Sequence, residues 1–372
     1  MVLSLSILML LLIAPGTGDE PPAPLRVTVP EKVDDGWEVG SLAGAGLDPA
    51  LVQEMVDRIG DGTYKNIHGV VLVRDGKLVV EAYFTGTDLL GKPLDFRRDT
   101  LHAQHSVTKS VNALLVGMAI DRKLIAGGDE PLARFFPAHA DLFADEAKRA
   151  IRLRHCLAMT PGLGWVELGT PYTDLRNDAV GMNRSRDPVR FVLEKPVTSE
   201  PGRRFLYNSG ASVVLGEVVR QAAGLPADEF AAKHLFAPLG IREYHWGRFA
   251  DGTVHTGGGL WLKPRDMAKI GQLMLDGGRW RGQQVVGESW VRAMVRQQAP
   301  YRGYGYQWWL RSFRGKDRAV EGFAAQGLGG QFIVVIPDFR LVAVFTGWNP
   351  DERTEQPFEM LQRFIVPATA TP

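Results

Sequence analysis

The amino-acid sequence predicts an α+β protein in which both ends of the chain build one antiparallel sheet. Strand patterns occur near the N-terminus, at 67–84, and return near the C-terminus, at 304–346. The residues between them, roughly 122–300, have helical patterns cut by Pro and Gly. Because the two strand regions must meet in space, we expect helices to flank the sheet and a mainly helical lobe to pack against it.

The N-terminal strands are predicted as a hairpin. The β-branched runs 67–74 and 78–84 flank Asp75-Gly76, and Asp-Gly between such runs is a strong hairpin signal. Before the hairpin, the apolar spacing predicts a helix over 47–59.

The other elements are predicted from the spacing of apolar residues. Helices are expected at 141–150, 187–194, 209–223, 227–236, 265–276 and 287–298. C-terminal strands are expected at 304–310, 330–336 and 341–346, with a Pro-Asp turn between the last two.

The composition favours a globular protein that acts on small molecules. The chain has 372 residues, and its 43 basic and 42 acidic residues give a net charge of +1. No basic stripe could follow a phosphate backbone, so nucleic acid is not expected as a partner. Cys156 is the only cysteine, which excludes an intrachain disulfide. Neither a phosphate-binding loop nor a His-Glu-x-x-His motif occurs, so no cofactor and no metal are expected.

The first 18 residues are expected to be a secretory signal peptide. An apolar block, 1–13, is followed by small residues. The basic residues usual at the start of a signal peptide are missing, because no Lys or Arg occurs before Arg26. The block is too short to cross about 30 Å of hydrocarbon, so no stable membrane span is expected after processing. We therefore expect export to the periplasm or the medium. An N-terminal arm at 19–45 and one domain at 46–368 would follow, with the helical lobe inserted between the sheet segments.

The stretch Ser106-Val107-Thr108-Lys109 offers a candidate nucleophile and a candidate base. It opens the apolar helical run 107–120. Residues three apart on a helix point to the same face, so Ser106 and Lys109 are expected to share one space. A serine needs a neighbouring base to be nucleophilic, and a lysine whose pKa is lowered by burial can be that base. The alternative interpretation is a helix-capping serine followed by a solvated lysine.

A second motif, Tyr207-Asn208-Ser209, lies where a loop meets the helix predicted at 209–223. A lysine cation nearby would favour the ionised form of Tyr207, so that a Lys–Tyr pair could share and relay a proton. The alternative is an ordinary helix N-cap by Asn208 or Ser209.

A third motif is the glycine-rich stretch 325–331, which leads into a predicted strand. Glycines there would let a substrate approach the backbone. A free N–H in this stretch could form an oxyanion hole with the N–H of Ser106. The alternative is a plain glycine-rich turn.

These three motifs, in this order, resemble those of the serine β-lactamase and penicillin-binding superfamily. Segments 256–260, 264–269 and 304–309 resemble the class C-type branch, which includes β-lactamase-like esterases and aminohexanoate-dimer hydrolases. The resemblance runs from about residue 47 to residue 348 and implies a β-lactamase/transpeptidase-like fold.

The resemblance also implies roles for residues. Ser106 resembles the acylated nucleophile, Lys109 the base that deprotonates it, and Tyr207 the group that passes the proton to the leaving group. Asn208 and Ser209 would orient the Lys–Tyr pair and the substrate.

The third motif implies the rest of the site. The main-chain N–H of Leu328, after Gly327, would complete the oxyanion hole, and Gln326 would lie beside the substrate. Class C β-lactamases have Lys-Thr-Gly here, whereas no residue from 322 to 331 is cationic in this chain. Their second motif is Tyr-x-Asn, where this chain has Tyr-Asn-Ser. The missing cation favours small esters or amides over β-lactams.

The sequence therefore predicts a serine hydrolase that acts through an acyl-enzyme on small esters or amides. A D,D-peptidase or a β-lactamase is the alternative within enzymes. A non-catalytic relative that binds peptides or cell-wall fragments is the alternative outside them. The oligomeric state is left open.

Overall fold

The protein is described from a computed structural model that covers residues 25–298, 300–301, 303–350 and 355–369. The expected signal peptide at 1–18 and the first residues of the expected arm lie outside the described residues. In the described part of the chain, no helix combines the length and the apolar character that crossing a bilayer requires.

The strands of the described residues are β1 (Glu38–Val39), β2 (Ile67–Arg74), β3 (Lys77–Tyr83), β4 (Thr85–Thr87), β5 (Pro93–Asp95), β6 (His102–Ala103), β7 (His245–Trp246), β8 (Leu260–Leu262), β9 (Arg279–Trp280), β10 (Gln283–Gln284), β11 (Trp309–Arg314), β12 (Ala319–Gly327), β13 (Gln331–Ile336) and β14 (Leu341–Gly347).

The α-helices of the same residues are α1 (Pro49–Gly60), α2 (Val107–Asp121), α3 (Glu146–Arg149), α4 (Leu153–Leu157), α5 (Asp178–Arg184), α6 (Pro188–Leu193), α7 (Ser209–Ala223), α8 (Ala227–Ala231), α9 (Ala237–Leu239), α10 (Pro264–Leu275), α11 (Glu288–Met294), α12 (Gln356–Met360) and α13 (Val366–Ala368). Shorter 3-10 turns lie at Ala43–Ala45, Leu132–Phe135, Pro137–Phe143 and Pro337–Phe339, and π-helical turns at Ala232–Phe236 and Leu361–Ile365.

Seven strands form the central sheet, in the order β1-β3-β2-β14-β13-β12-β11. In the described residues the neighbouring pairs are antiparallel, except that β1 runs parallel to β3. The pairing of β2 with β14 joins the two ends of the chain in the middle of the sheet. The sheet is thus completed by both chain ends, as the sequence predicts.

The predicted hairpin forms at the expected turn. Asp75 and Gly76 both have positive φ angles, 49° and 75°, as a tight two-residue hairpin turn requires. The helix predicted before it begins at Pro49, where the Asp48 side chain accepts a hydrogen bond from the Ala50 N–H (2.8 Å). Asp48 thus caps the helix in the usual way.

Two layers of helices cover the sheet. One apolar cluster lies between the sheet, α1 and the C-terminal helical segment, and a larger one lies between the other face and the helical lobe. On the lobe side, α10 packs on β13 and β14, and α2 packs between α7 and β12. Helix α2 is buried over 107–119. Its first turn is therefore fixed between the lobe and the sheet.

Some predicted boundaries are wrong. The helix expected at 287–298 ends at Met294, because the N–H of Tyr306 occupies the Met294 carbonyl (2.9 Å). The strand expected at 304–310 begins only at Trp309, because the preceding residues form a turn in which the Gly305 N–H bonds the Trp308 carbonyl (2.9 Å).

Two other segments differ as well. The helix expected at 141–150 is a 3-10 turn followed by the short helix α3. Strand β12 was not predicted, because its residues include two glycines, three alanines and only one β-branched residue, a composition that gives a weak strand signal.

A buried ionic cluster fixes the described part of the N-terminal arm. The Arg265 guanidinium bonds both oxygens of Glu81 (2.7 and 2.8 Å), the Asp35 carboxylate (2.9 Å) and the Glu31 carbonyl (2.8 Å). Arg98 also pairs with Glu81 (3.1 Å). Helix α10, strand β3 and the arm are therefore joined through one side chain.

We predict that Arg265→Ala lowers the free energy of unfolding by about 3 kcal/mol or more, because it leaves buried carboxylates without their main partner. Urea denaturation measures this. The matched control is Lys32→Ala, which removes the exposed pair with Glu38 (2.7 Å) and should cost far less than Arg265→Ala, because solvent screens an exposed pair. Equal losses in the two variants would contradict the anchoring role of Arg265.

Candidate active site

Ser106 stands directly before α2, after a strained turn. His105 has a φ of 45°, a left-handed conformation that non-glycine residues seldom adopt. The turn is held from both sides by Leu260, whose carbonyl accepts from the Gln104 N–H (2.7 Å) and whose N–H donates to Thr108 Oγ1 (3.2 Å). Strain that is held in place by neighbouring contacts is typical of functional sites.

Lys109 lies one turn into α2 and is almost completely buried, with 1% of its surface exposed. Its Nζ is 2.8 Å from Ser106 Oγ and donates to the Gly257 carbonyl (2.6 Å). Burial lowers the pKa of the Lys109 ammonium to about 8, and the negative charge of Glu167 opposes the change. The predicted pairing of serine with a lysine of depressed pKa is therefore present in the structure.

Tyr207 completes a group of three side chains with Ser106 and Lys109, of which Lys109 and Tyr207 are buried. Its ring centroid is 5.0 Å from Lys109 Nζ, and its ring stacks on Trp309 at 6.0 Å. Burial raises the pKa of Tyr207 well above its ordinary value; the charge of Glu167 adds to the rise, and the neighbouring Ser106 hydroxyl opposes it. The expected shift toward the ionised form is wrong: Tyr207 is held as a phenol that can donate a proton.

Asn208 and Ser209 stabilise the turn next to Tyr207 through hydrogen bonds that involve neither Lys109 nor Ser106. The Asn208 side chain accepts from the Ala211 N–H (2.9 Å) and caps α7, which is the alternative interpretation drawn from the sequence. Ser209 donates from its N–H and its hydroxyl to Glu167. Both residues thus fix the turn that carries Tyr207, and their action on substrate stays a prediction.

The third motif lies against the nucleophile turn. Gly327 ends β12, and a Cβ at this position would stand 2.3 Å from the Gln104 carbonyl oxygen, so only glycine allows this approach. Leu328 then lines the same cavity as Ser106. In the described part of the chain, neither the Ser106 N–H nor the Leu328 N–H donates a hydrogen bond. Both remain available for an oxyanion.

The side chain of Gln326 is not in this cavity. It accepts a hydrogen bond from Arg311 on β11 (2.9 Å), and the guanidinium of Arg311 lies 5.6 Å from the Trp309 ring and 4.6 Å from the Phe358 ring. A cation therefore lies beside the third motif, although none occurs within it. No local pattern in the sequence indicates this, because the contact depends on the register of β11 with β12.

The cavity at Ser106 has a volume of about 230 Å³. Within the described residues, Lys109 is the only Lys, Arg, Asp or Glu among its lining residues, which are His105, Ser106, Lys109, Tyr172, Ala179, Met182, Asn183, Ser209, His255, Gly257, Gly258 and Leu328. Burial and the charge of Lys109 lower the pKa of both histidines to about 4, so they are neutral at pH 7. The cavity is thus small and, apart from Lys109, uncharged.

Glu167 is a residue of this region that sequence reasoning missed. It lies in the loop before α5, is 3% exposed, and accepts hydrogen bonds from Trp165 (2.7 Å), Tyr172 (2.9 Å) and Ser209 (2.8 Å to its N–H). No motif contains it. Its position follows only from tertiary packing against the start of α7.

Comparison with known proteins identifies the family and supports the fold. The model of the beta-lactamase family matches residues 50–361. The 6-aminohexanoate-dimer hydrolase of Paenarthrobacter ureafaciens is 25% identical over 303 residues, which cover 76% of this chain and 73% of that relative.

Solved structures show the same fold. A family VIII carboxylesterase superposes with a TM-score of 0.66 at 18% identity, covering 86% of this chain and 98% of that one. An octameric penicillin-binding protein homologue from Pyrococcus abyssi has a TM-score of 0.59 at 18% identity, covering 84% and 76%.

The chain belongs to the beta-lactamase family. The predicted family, α+β fold and enzyme class, a serine hydrolase, are confirmed.

We predict that Lys109→Met stabilises the protein at pH 7, because it removes an ammonium whose pKa burial lowers from 10.5 to about 8. Below pH 8 the folded protein must bury the charge. Between about pH 8 and 10.5 the unfolded chain binds the additional proton, so the wild type gains stability as pH rises. At pH 7 the free energy of unfolding of the wild type should be lower than that of the variant by on the order of 3 kcal/mol, and this difference should shrink over this range.

Urea denaturation from pH 7 to 10.5 measures the effect. The matched control is Lys269→Met: Lys269 is equally buried but pairs with Asp266 (2.8 Å), so its loss should destabilise the protein. A constant gap between the wild type and Lys109→Met across this pH range would contradict the lowered pKa.

Proposed function

We propose that this protein is an esterase that hydrolyses small, uncharged carboxylic esters through an acyl-enzyme on Ser106. The observation that carries the proposal is the 2.8 Å contact between the buried Lys109 Nζ and Ser106 Oγ, at the edge of a cavity of about 230 Å³. The Ser-x-x-Lys spacing supplies a nucleophile and its base, and Tyr207 supplies a proton donor beside them.

Acylation begins with attack of Ser106 Oγ on the ester carbonyl carbon. The hydroxyl proton passes to Lys109 Nζ, and the oxyanion that forms accepts from the N–H groups of Ser106 and Leu328. When the tetrahedral intermediate collapses, the bond to the leaving oxygen breaks. Tyr207 gives that oxygen a proton and recovers one from Lys109, so the alcohol leaves neutral.

Deacylation repeats these steps with water in place of serine. A water molecule attacks the acyl carbon and gives one proton to Tyr207, which passes its own phenol proton to the neutral Lys109. The second tetrahedral intermediate collapses with Ser106 Oγ as leaving group, and the proton returns to it. The products are the carboxylic acid and the free enzyme.

The cavity supports small neutral substrates. Its volume of about 230 Å³ lies below the range of about 300–1,000 Å³ that is usual for pockets of drug-sized ligands. Its cation, Lys109, is already bound to Ser106 and Gly257, and Arg311 is outside it. Among the described residues of the cavity a substrate carboxylate would find no free cation, so esters rank first, linear amides second and β-lactams third.

The names of related proteins agree with an ester or an amide as the substrate. One structural neighbour is a carboxylesterase, and one sequence relative is a hydrolase of an aminohexanoate dimer, which is a linear amide. Because this chain is at most 25% identical to either, they support an ester or an amide as the substrate class without choosing between the two.

We predict that p-nitrophenyl acetate gives a burst of p-nitrophenol and a mass adduct on the Ser106 peptide, because the acyl-enzyme precedes hydrolysis. Ser106→Ala should give neither, and Tyr207→Phe should lower kcat by about 10²- to 10⁴-fold through loss of the proton donor. Stopped-flow absorbance and peptide mass spectrometry measure these effects. The rate should fall as the acyl chain outgrows the cavity.

The matched control is Ser110→Ala. Ser110 lies on the same helix, but its hydroxyl donates to the Gln307 carbonyl (2.5 Å), so burst and adduct should persist. Undiminished turnover in Ser106→Ala would refute the mechanism. Faster hydrolysis of a chromogenic cephalosporin than of esters would favour a β-lactamase. Absence of an adduct with both a fluorophosphonate and a fluorescent penicillin would favour a binding protein.

A further inference from the structure

Glu167 forms a complete hydrogen-bonding cage around a buried carboxylate. Its Oε2 accepts from Trp165 Nε1 (2.7 Å) and from the Ser209 N–H (2.8 Å). Its Oε1 accepts from the Tyr172 hydroxyl (2.9 Å) and from the Ser209 hydroxyl (2.5 Å). Glu167 is the acceptor in all four bonds, so the cage satisfies the ionised carboxylate without requiring a proton on it. The site therefore has a fixed negative charge close behind it.

The position of this charge relates it to the proton-transfer groups. Ser209, which donates twice to Glu167, is two residues from Tyr207 in the first turn of α7. Lys109 Nζ lies over the Tyr207 ring at 5.0 Å. In this buried region a charge acts over a longer range than in water, because little solvent screens it. Glu167 therefore acts on Lys109 and Tyr207 without touching either.

Among the described residues, the other titratable groups around Lys109 carry no negative charge that could stabilise its ammonium. His105 precedes the nucleophile and His255 approaches from the glycine loop; both have pKa values lowered to about 4 by burial and are neutral. Burial raises the pKa of Tyr304, and partial burial together with the charge of Glu167 raises the pKa of Tyr172, which is 44% exposed; both stay phenols. Within the described residues, Glu167 is the acidic group whose charge bears on Lys109.

We propose that Glu167 is a positioning residue that holds a proton on Lys109 and the phenol proton on Tyr207, through a fixed charge behind the turn that presents Tyr207. The charge has two consequences. It makes Lys109 a stronger base, and it stabilises the ammonium that forms when Ser106 gives up its proton. The kinetic consequences rest on the proposed function, whereas the protonation of Lys109 does not.

The arrangement of the cage allows the charge to be removed alone. Both partners of Oε2 are N–H groups, which can only donate, whereas both partners of Oε1 are hydroxyls, which can turn and accept. In Glu167→Gln the amide oxygen can take the place of Oε2 and the amide nitrogen that of Oε1. Four hydrogen bonds can then still form, two of them with donor and acceptor exchanged, and the charge is lost.

We predict that Glu167→Gln moves the acidic limb of the kcat/KM pH profile to lower pH by about half a unit or more, because Lys109 loses its proton more readily. The plateau should fall several-fold, because the weaker base and the less stabilised ammonium slow acylation. Initial rates with p-nitrophenyl acetate from pH 5 to 10 measure both. A lower plateau with the limb unmoved would overturn the proposal and leave Glu167 a merely structural role.

Two variants serve as controls. Glu130→Gln makes the same change at another buried carboxylate of the helical lobe, which bonds Arg134 and the Ala126 N–H, and should leave the limb unmoved. Ser209→Ala removes one donor from the cage but keeps the charge, so its limb should also stay at the wild-type pH. A limb shift in Ser209→Ala as large as that in Glu167→Gln would overturn the proposal, even if the latter folds poorly.

A second measurement needs no turnover. Lysine labelled with ¹³C at Cε reports the titration of Lys109 by NMR, with the signal assigned from its loss in Lys109→Met. The midpoint should be lower in Glu167→Gln than in the wild type. Equal midpoints would overturn the inference about Glu167. A shifted midpoint in a protein that hydrolyses no ester would refute the proposed function alone.

Discussion

The site depends on one physical constraint, the burial of the Lys109 ammonium beside Ser106. An ammonium removed from water costs several kcal/mol unless it is paired, and within the described residues no carboxylate lies within 4 Å of it. What it has is the Gly257 carbonyl and the Ser106 hydroxyl. The fold maintains this unfavourable arrangement because α2 is enclosed between α7 and β12. The protein thus loses folding stability at Lys109, the residue that must act as a base.

The oxyanion side of the site depends on the backbone rather than on side chains. Gly327 brings the end of β12 against the Gln104 carbonyl, and the N–H groups of Ser106 and Leu328 have no acceptor among the described residues. That contact requires β12 to be held in the sheet, which is closed through β2 and β14 from opposite ends of the chain. A local motif in sequence thus becomes a site only through contacts between distant segments.

This distinction explains what the sequence could predict. Ser106 and Lys109 are related by helical spacing, and the hairpin at Asp75 by its turn residues, so local rules were sufficient for them. The position of Tyr207 was suggested by motif order. Glu167 and Arg311 were missed, because their contacts depend on tertiary packing and on strand register. The direction of the Tyr207 pKa was also predicted wrongly, because it depends on burial and on Glu167.

The position of Arg311 shows why the shared fold does not by itself determine the substrate. In the related β-lactamases the cation belongs to the third motif itself. Here Arg311 comes from β11, is bound to Gln326, and stacks over Trp309, outside the cavity of Ser106. The nucleophile, the base and the oxyanion N–H groups need no cation at that position, because they act on the carbonyl alone. The same reacting groups are therefore compatible with the neutral ester that we propose, because the Arg311 guanidinium, which could bind a carboxylate, lies outside their cavity.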